Sequence, residues 1–106
     1  MMGPDSVSPD TVPPIQSRKT IPLIEIYTQP YCPYCARALA LLEKKQVPFK
    51  EIQALPGSPA RAEAKQRSGG LTSVPQIFIG GRHIGGCDDM MALEAAGELD
   101  PLLQAA

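Results

Sequence analysis

Prolines and paired glycines cut this chain into short elements, and their positions limit how it can fold. Pro33 and Pro59 stand where helices begin, the position at which a missing backbone N–H is harmless. Gly69-Gly70 closes a helical stretch, Gly80-Gly81 suits a tight hairpin turn, and Gly85-Gly86 leads into a further helix.

Between these breaks the apolar pattern changes its period. Residues 23–28 are β-branched and aromatic, as in a sheet strand. From Pro33 to about Gln46, Cys35, Ala38, Leu39 and Leu42 recur on one helical face. Lys44 and Lys45 fall in its last turn, where the helix dipole favours cations. Residues 48–53 read as a second strand. Ser58 is expected to cap a second helix that runs to about Arg67, with a thin apolar face of Ala60 and Ala64. Residues 75–79 and 82–84 are strands on either side of the hairpin turn. A last helix starts near Asp88, with Met91, Leu93 and Ala95 as core contacts.

The order strand, helix, strand, helix, strand, strand, helix predicts an α/β fold. A right-handed crossover joins a parallel pair, and the hairpin adds an antiparallel pair. The expected architecture is thioredoxin-like, a four-stranded mixed sheet flanked by three or more helices. At 106 residues the chain has room for one such domain. Residues 1–20 are rich in Pro, Ser and Asp and lack hydrophobic periodicity, so they are expected to be a disordered tail before a folded domain at 21–106. A net charge of −1 gives no basic field for nucleic acid, and no apolar run approaches the roughly 20 residues a membrane span needs. Three cysteines and no signal-like apolar segment point to a reducing, cytoplasmic setting.

Cys32-Pro33-Tyr34-Cys35 carries the chemistry. Cysteines three apart at a helix start lie close enough for a disulfide. Cys32 precedes the first turn, where unpaired N–H groups and the positive dipole end favour a thiolate. Such settings bring cysteine from about 8.5 to roughly 3.5–7.5. Cys32 is therefore the expected nucleophile, and Cys35, on the apolar face, acts second. Zinc is disfavoured because a closed site needs four ligands, and only Cys87 and His83 remain to complete one; no metal is expected.

Two further motifs each admit two readings. Pro75, after Thr72-Ser73-Val74, is either a plain strand-initiating proline or a cis proline that presents the Val74 backbone to an extended ligand. In Gly85-Gly86-Cys87-Asp88-Asp89 the glycines allow close backbone approach, and the helix N–H groups beside the Asp88 carboxylate suit a zwitterion. Alternatively, Asp88 or Asp89 is merely a cap.

Taken together, these motifs resemble the glutaredoxins of the bacterial dithiol class. Tyr27-Thr28 before the cysteine motif, residues 72–79, His83-Ile84-Gly85-Gly86-Cys87-Asp88-Asp89 and the closing Leu99-Asp100-Pro101-Leu102-Leu103 all look like signatures of that family. Thioredoxins usually carry a tryptophan before the motif and Gly-Pro inside it. This chain has no tryptophan and a Pro-Tyr core.

The resemblance implies a glutathione-dependent oxidoreductase acting on protein disulfides and glutathionylated proteins, monomeric and without a bound cofactor. It implies catalytic Cys32 and Cys35, with Tyr34 beside the sulfur. Val74 would pair with the glutathione backbone, placed by a cis Pro75 and next to Ser73, which replaces the family's usual threonine. Asp88 would take the γ-glutamyl ammonium, and the backbone at Gly86, Cys87 and Asp88 its carboxylate. Where the family often has a basic residue before the motif stands Gln29, so Arg67 or Gln66 is expected to meet the glycyl carboxylate. No catalytic role is expected for His83. Some relatives instead carry a [2Fe–2S] cluster held with glutathione. Pro33, which stiffens the helix start, argues against that alternative.

Overall fold

The computed structural model describes residues 22–104; the expected tail at 1–20 lies outside the described residues. Strand β1 (Ile24–Thr28) lies inside a four-stranded sheet, between a parallel strand at Lys50–Gln53 (β2) and an antiparallel strand at Gln76–Ile79 (β3), with Arg82–Gly85 (β4) beyond β3. Ile24, Ile26, Tyr27 and Thr28 are all buried, the pattern of a strand covered on both faces. Successive side chains point to opposite sides of a sheet, so β1 feeds two cores. Ile24 and Ile26 join the larger one, and Tyr27 belongs to a smaller one.

Helix α1 (Pro33–Lys44) lies over the larger core with Cys35, Ala38, Leu41 and Leu42 buried. Leu39 is only partly buried against it. The helix stops two residues before the expected Gln46, because Gln46 turns left-handed at φ 58. The chain then enters β2 (Lys50–Gln53), which pairs parallel with β1 in the register Ile26↔Glu51. Helix α2 (Pro59–Arg67) begins as expected, with the Ser58 hydroxyl accepting the Arg61 N–H at 3.1 Å. It covers the smaller core of Tyr27, Ala54, Ala64 and Phe78.

Strand β3 (Gln76–Ile79) runs antiparallel to β1 and is buried throughout. Gly80 and Gly81, at φ 60 and 82, make the turn into β4 (Arg82–Gly85). Two successive positive φ values match the twist of a hairpin and suit glycine. The mixed four-stranded sheet with helices against it is the thioredoxin-like architecture that the element order predicts.

Helix α3 (Cys87–Ala95) corrects one expectation. Met90 is its buried core residue, Met91 and Leu93 are partly buried, and Ala95 is exposed. A further helix, α4 (Leu99–Gln104), follows, in addition to the expected elements. Six residues are too few to display a helical period; Leu99 and Leu103 are buried and Leu102 packs partly buried against the larger core. Lys45, just past α1, ties these ends together through ion pairs of 2.8 Å to Glu94 and 2.8 Å to Asp100. Among the described residues, no helix is long and apolar enough to cross a membrane.

Leu42 is fully buried at the centre of the larger core. Leu42→Ala is expected to lose about 2–5 kcal/mol, a large part of the roughly 5–15 kcal/mol available to a small domain. Equilibrium urea unfolding measures it, and a loss below about 1 kcal/mol would place Leu42 outside the core.

Candidate active site

The site forms where β1 ends and α1 begins. Tyr31 makes the reversal in a left-handed conformation, φ 59, and its side chain is fully exposed. Cys32 then serves as the helix N-cap, extended at φ −109 and ψ 107. Its Sγ accepts the Cys35 N–H at 3.2 Å and lies 3.9 Å from the Val74 carbonyl oxygen. Cys35 sits one turn further in and is buried. Burial, and next the hydrogen bond with Cys32, push the Cys35 thiol up to about 12. One sulfur is thus partly open to solvent while the other is shielded and protonated.

A groove of about 260 Å³ runs beside Cys32. The structure brings Tyr34, Ser73, Val74, Pro75, Gly86, Cys87 and Asp88 together along it. The Val74–Pro75 peptide bond is cis. A Cβ at Gly86 would stand 3.4 Å from the Pro75 carbonyl oxygen, so glycine lets the two walls approach.

The two acids at the start of α3 divide their tasks. Asp89 reaches back to accept the Gly86 N–H at 2.9 Å, a capping contact. A side chain at Gly85, which has φ 121, would collide with that carboxylate. Asp88 remains exposed on the groove. The Cys87 thiol is buried, and burial pushes it up.

Arg67 is not brought to the groove. Its Nη1 donates to the Tyr27 hydroxyl at 2.8 Å, its Nη2 pairs with Glu25 at 2.8 Å, and its guanidinium lies 4.0 Å from the Phe78 ring centre. The bond to Glu25, then that to Tyr27, raises its pKa further. Topology explains the correction. Strand β2 runs parallel to β1 and leaves the sheet at the Cys32 end, so the first turn of α2 lies near the cysteines and its last turn far from them.

Arg61, in that first turn, is the residue the sequence reading missed. Its Nη1 donates to Gln29 Oε1 at 2.9 Å and to the Ala54 carbonyl at 2.8 Å. Its Nε and Nη2 both reach the Thr72 carbonyl, at 3.0 and 2.8 Å. A cation therefore stands beside Gln29 after all. The other flank of the cysteines opens on a cavity of about 440 Å³, bordered by Thr28, Tyr31, Leu39 and Glu51. There the Thr28 hydroxyl donates to Glu51 Oε2 at 2.7 Å.

An accessible sulfur and a shielded one, a single helical turn apart, are arranged for disulfide exchange. On this sheet they define a dithiol oxidoreductase of the thioredoxin fold. Comparison with known proteins narrows the class. The glutaredoxin family model matches residues 24–84. The chain is 54% identical to glutaredoxin 3 of Escherichia coli (strain K12) over 81 residues, 76% of this chain and 96% of that protein. The solution structure of a glutaredoxin from Brucella melitensis, 54% identical, covers 79% of this chain and 90% of its own with a TM-score of 0.68. The crystal structure of a buckwheat glutaredoxin–glutathione complex, 31% identical, also gives 0.68 and covers 77% and 76%. The chain belongs to the glutaredoxin family and is a thiol–disulfide oxidoreductase.

The raised Cys35 value has a direct consequence for labelling. A thiol pushed up to about 12 stays protonated through neutral pH and gains reactivity only as pH climbs toward that value. Brief alkylation of the reduced protein between about pH 7 and 9 should modify Cys32 and spare Cys35, as read by peptide mass spectrometry. Equal labelling of the two would contradict the assigned environments.

Proposed function

We propose that this protein uses glutathione to reduce protein disulfides and to remove glutathione from mixed disulfides. The observation that carries the reading is the groove beside Cys32. One wall offers the backbone at Val74 beside the cis Pro75, and the other offers helix N–H groups next to the Asp88 carboxylate. A γ-linked tripeptide supplies the matching partners: a peptide backbone, an ammonium and a carboxylate on the same carbon. The buckwheat relative, solved as a glutathione complex, supports the assignment.

In the proposed cycle the Cys32 thiolate attacks the glutathione sulfur of a mixed disulfide. The protein thiolate leaves with the electron pair of the broken S–S bond, and glutathione remains on Cys32. A second glutathione thiolate attacks that sulfur, releasing oxidised glutathione and the Cys32 thiolate. With a protein disulfide, the Cys32 thiolate attacks one sulfur and the other leaves as a thiolate; Cys35 then gives up its proton and attacks Cys32 Sγ, the second substrate thiolate departs, and two glutathiones reduce the Cys32–Cys35 bond and leave as oxidised glutathione. Val74 is assigned to the cysteinyl backbone and Asp88 to the ammonium. The Cys87 and Asp88 N–H groups are assigned to the γ-glutamyl carboxylate. Ser73, cis Pro75 and Gly86 shape the walls, and Tyr34 flanks the sulfur. The glycyl carboxylate is assigned to Arg61 with Gln29, in place of Arg67. The protein is taken to act as a monomer in a reducing cytoplasm.

A coupled assay with glutathione, NADPH and glutathione reductase on a small mixed disulfide tests this cycle. Cys32→Ser should fall to background, whereas Cys35→Ser should keep its activity on mixed disulfides and lose it on protein disulfides. Equal loss in both variants would sink the assigned roles. In the same assay Arg61→Ala should raise KM about ten- to 150-fold, the range for one charge-assisted hydrogen bond, with little change in kcat. An unchanged KM would remove Arg61 from the site.

A further inference from the structure

Residues 72–74 join α2 to β3 outside any sheet ladder, yet Val74 must stay at the side of Cys32. Side chains from two directions hold this segment. Arg61 takes the Thr72 carbonyl from α2, as described. From β3, Gln76 donates through Nε2 to the Ser73 carbonyl at 3.0 Å, and its Oε1 lies 2.7 Å from His83 Nε2. Gln76 is 1% exposed, so each of its polar atoms depends on a protein partner.

The chemistry of these atoms fixes where the hydrogens are. A carbonyl only accepts, so the amide nitrogen of Gln76 faces Ser73 and its oxygen faces His83. That oxygen also only accepts, so His83 Nε2 carries a hydrogen. His83 pairs with Phe78 across the hairpin, and its ring packs on the Phe78 ring with centroids 5.0 Å apart. This packing holds the imidazole in place for the bond.

We infer that His83, acting through Gln76, is a positioning residue for the groove: a two-bond relay from β4 fixes the Ser73 carbonyl and with it the Val74 backbone that meets the ligand. The affinity role rests on the glutathione reading of that groove. His83→Phe keeps an aromatic ring on Phe78 but removes the donor, freeing the Gln76 amide to turn away from Ser73. His83→Gln supplies an N–H at similar reach.

The test measures both variants against a glutathionylated peptide, with a thermal melt to confirm folding. His83→Phe should raise KM about five- to tenfold with kcat within about twofold, the pattern of lost binding without lost chemistry. His83→Gln should recover most of that loss. A folded His83→Phe with unchanged KM overturns the relay. Nitrogen-15 NMR of the wild-type imidazole gives a readout independent of turnover and of variant folding. With the ring neutral, the hydrogen should reside on Nε2; residence on Nδ1 overturns the relay. If the wild type reduces other disulfides but ignores glutathionylated peptides, the glutathione reading fails, and the imidazole spectrum still decides the relay.

Discussion

A sulfur atom caps the first helix, and the site is organised around that contact. The usual helix cap is an oxygen of Ser, Thr, Asp or Asn that accepts the N–H of the third helical residue. Here Cys32 Sγ takes that place, and the N–H it receives belongs to Cys35. The contact that starts the helix therefore also sets the spacing of the two reacting residues. Pro33 between them has no N–H to leave unpaired at the first helical position. Helix geometry and redox chemistry are satisfied by the same four residues.

The sheet makes this arrangement rigid. Strand β1 is gripped by β2 and β3 and covered on both faces, so its end is a fixed platform for the turn that carries Cys32. The opposite wall of the groove comes from β3 and the start of α3. Gly86 lets the backbone lie close to Pro75, Gly85 leaves room for the Asp89 carboxylate, and Asp89 pins the Gly86 N–H. The arginine at the end of α2 serves the smaller core instead. The Tyr27 hydroxyl donates to Glu63 at 2.6 Å while receiving a bond from Arg67, which joins α2 to β1 far from the sulfur.

Elements with strong punctuation were legible in the sequence. Pro33, Ser58-Pro59 and the glycine pairs mark starts, stops and turns by their own backbone chemistry, and the structure puts those boundaries within a few residues. The redox pair was equally plain, because its spacing and its position after a strand coincide. What stayed hidden depends on partners distant in the chain. Composition does not distinguish Met90 from Met91, since the side that α3 buries follows from where α1 lies. Arg67 stood at the helix end nearest in sequence to residues 72–75, but the parallel pairing of β2 with β1 turns α2 around and brings Arg61 to the site. That reversal was implicit in the predicted crossover, and following it through would have found Arg61. The division of labour between Asp88 and Asp89 needed the backbone path at Gly85.

The buried second cysteine also separates the two sulfurs chemically. Burial and the hydrogen bond with Cys32 push the Cys35 thiol up, so at neutral pH the internal attacker rests protonated. Burial is the leading cause and the hydrogen bond with Cys32 the next, so the shielding comes first from the depth of the side chain. Cys32, by contrast, is only partly covered and meets thiols arriving from solution first. The depth of one side chain thus sets which of two chemically identical groups meets the outside world.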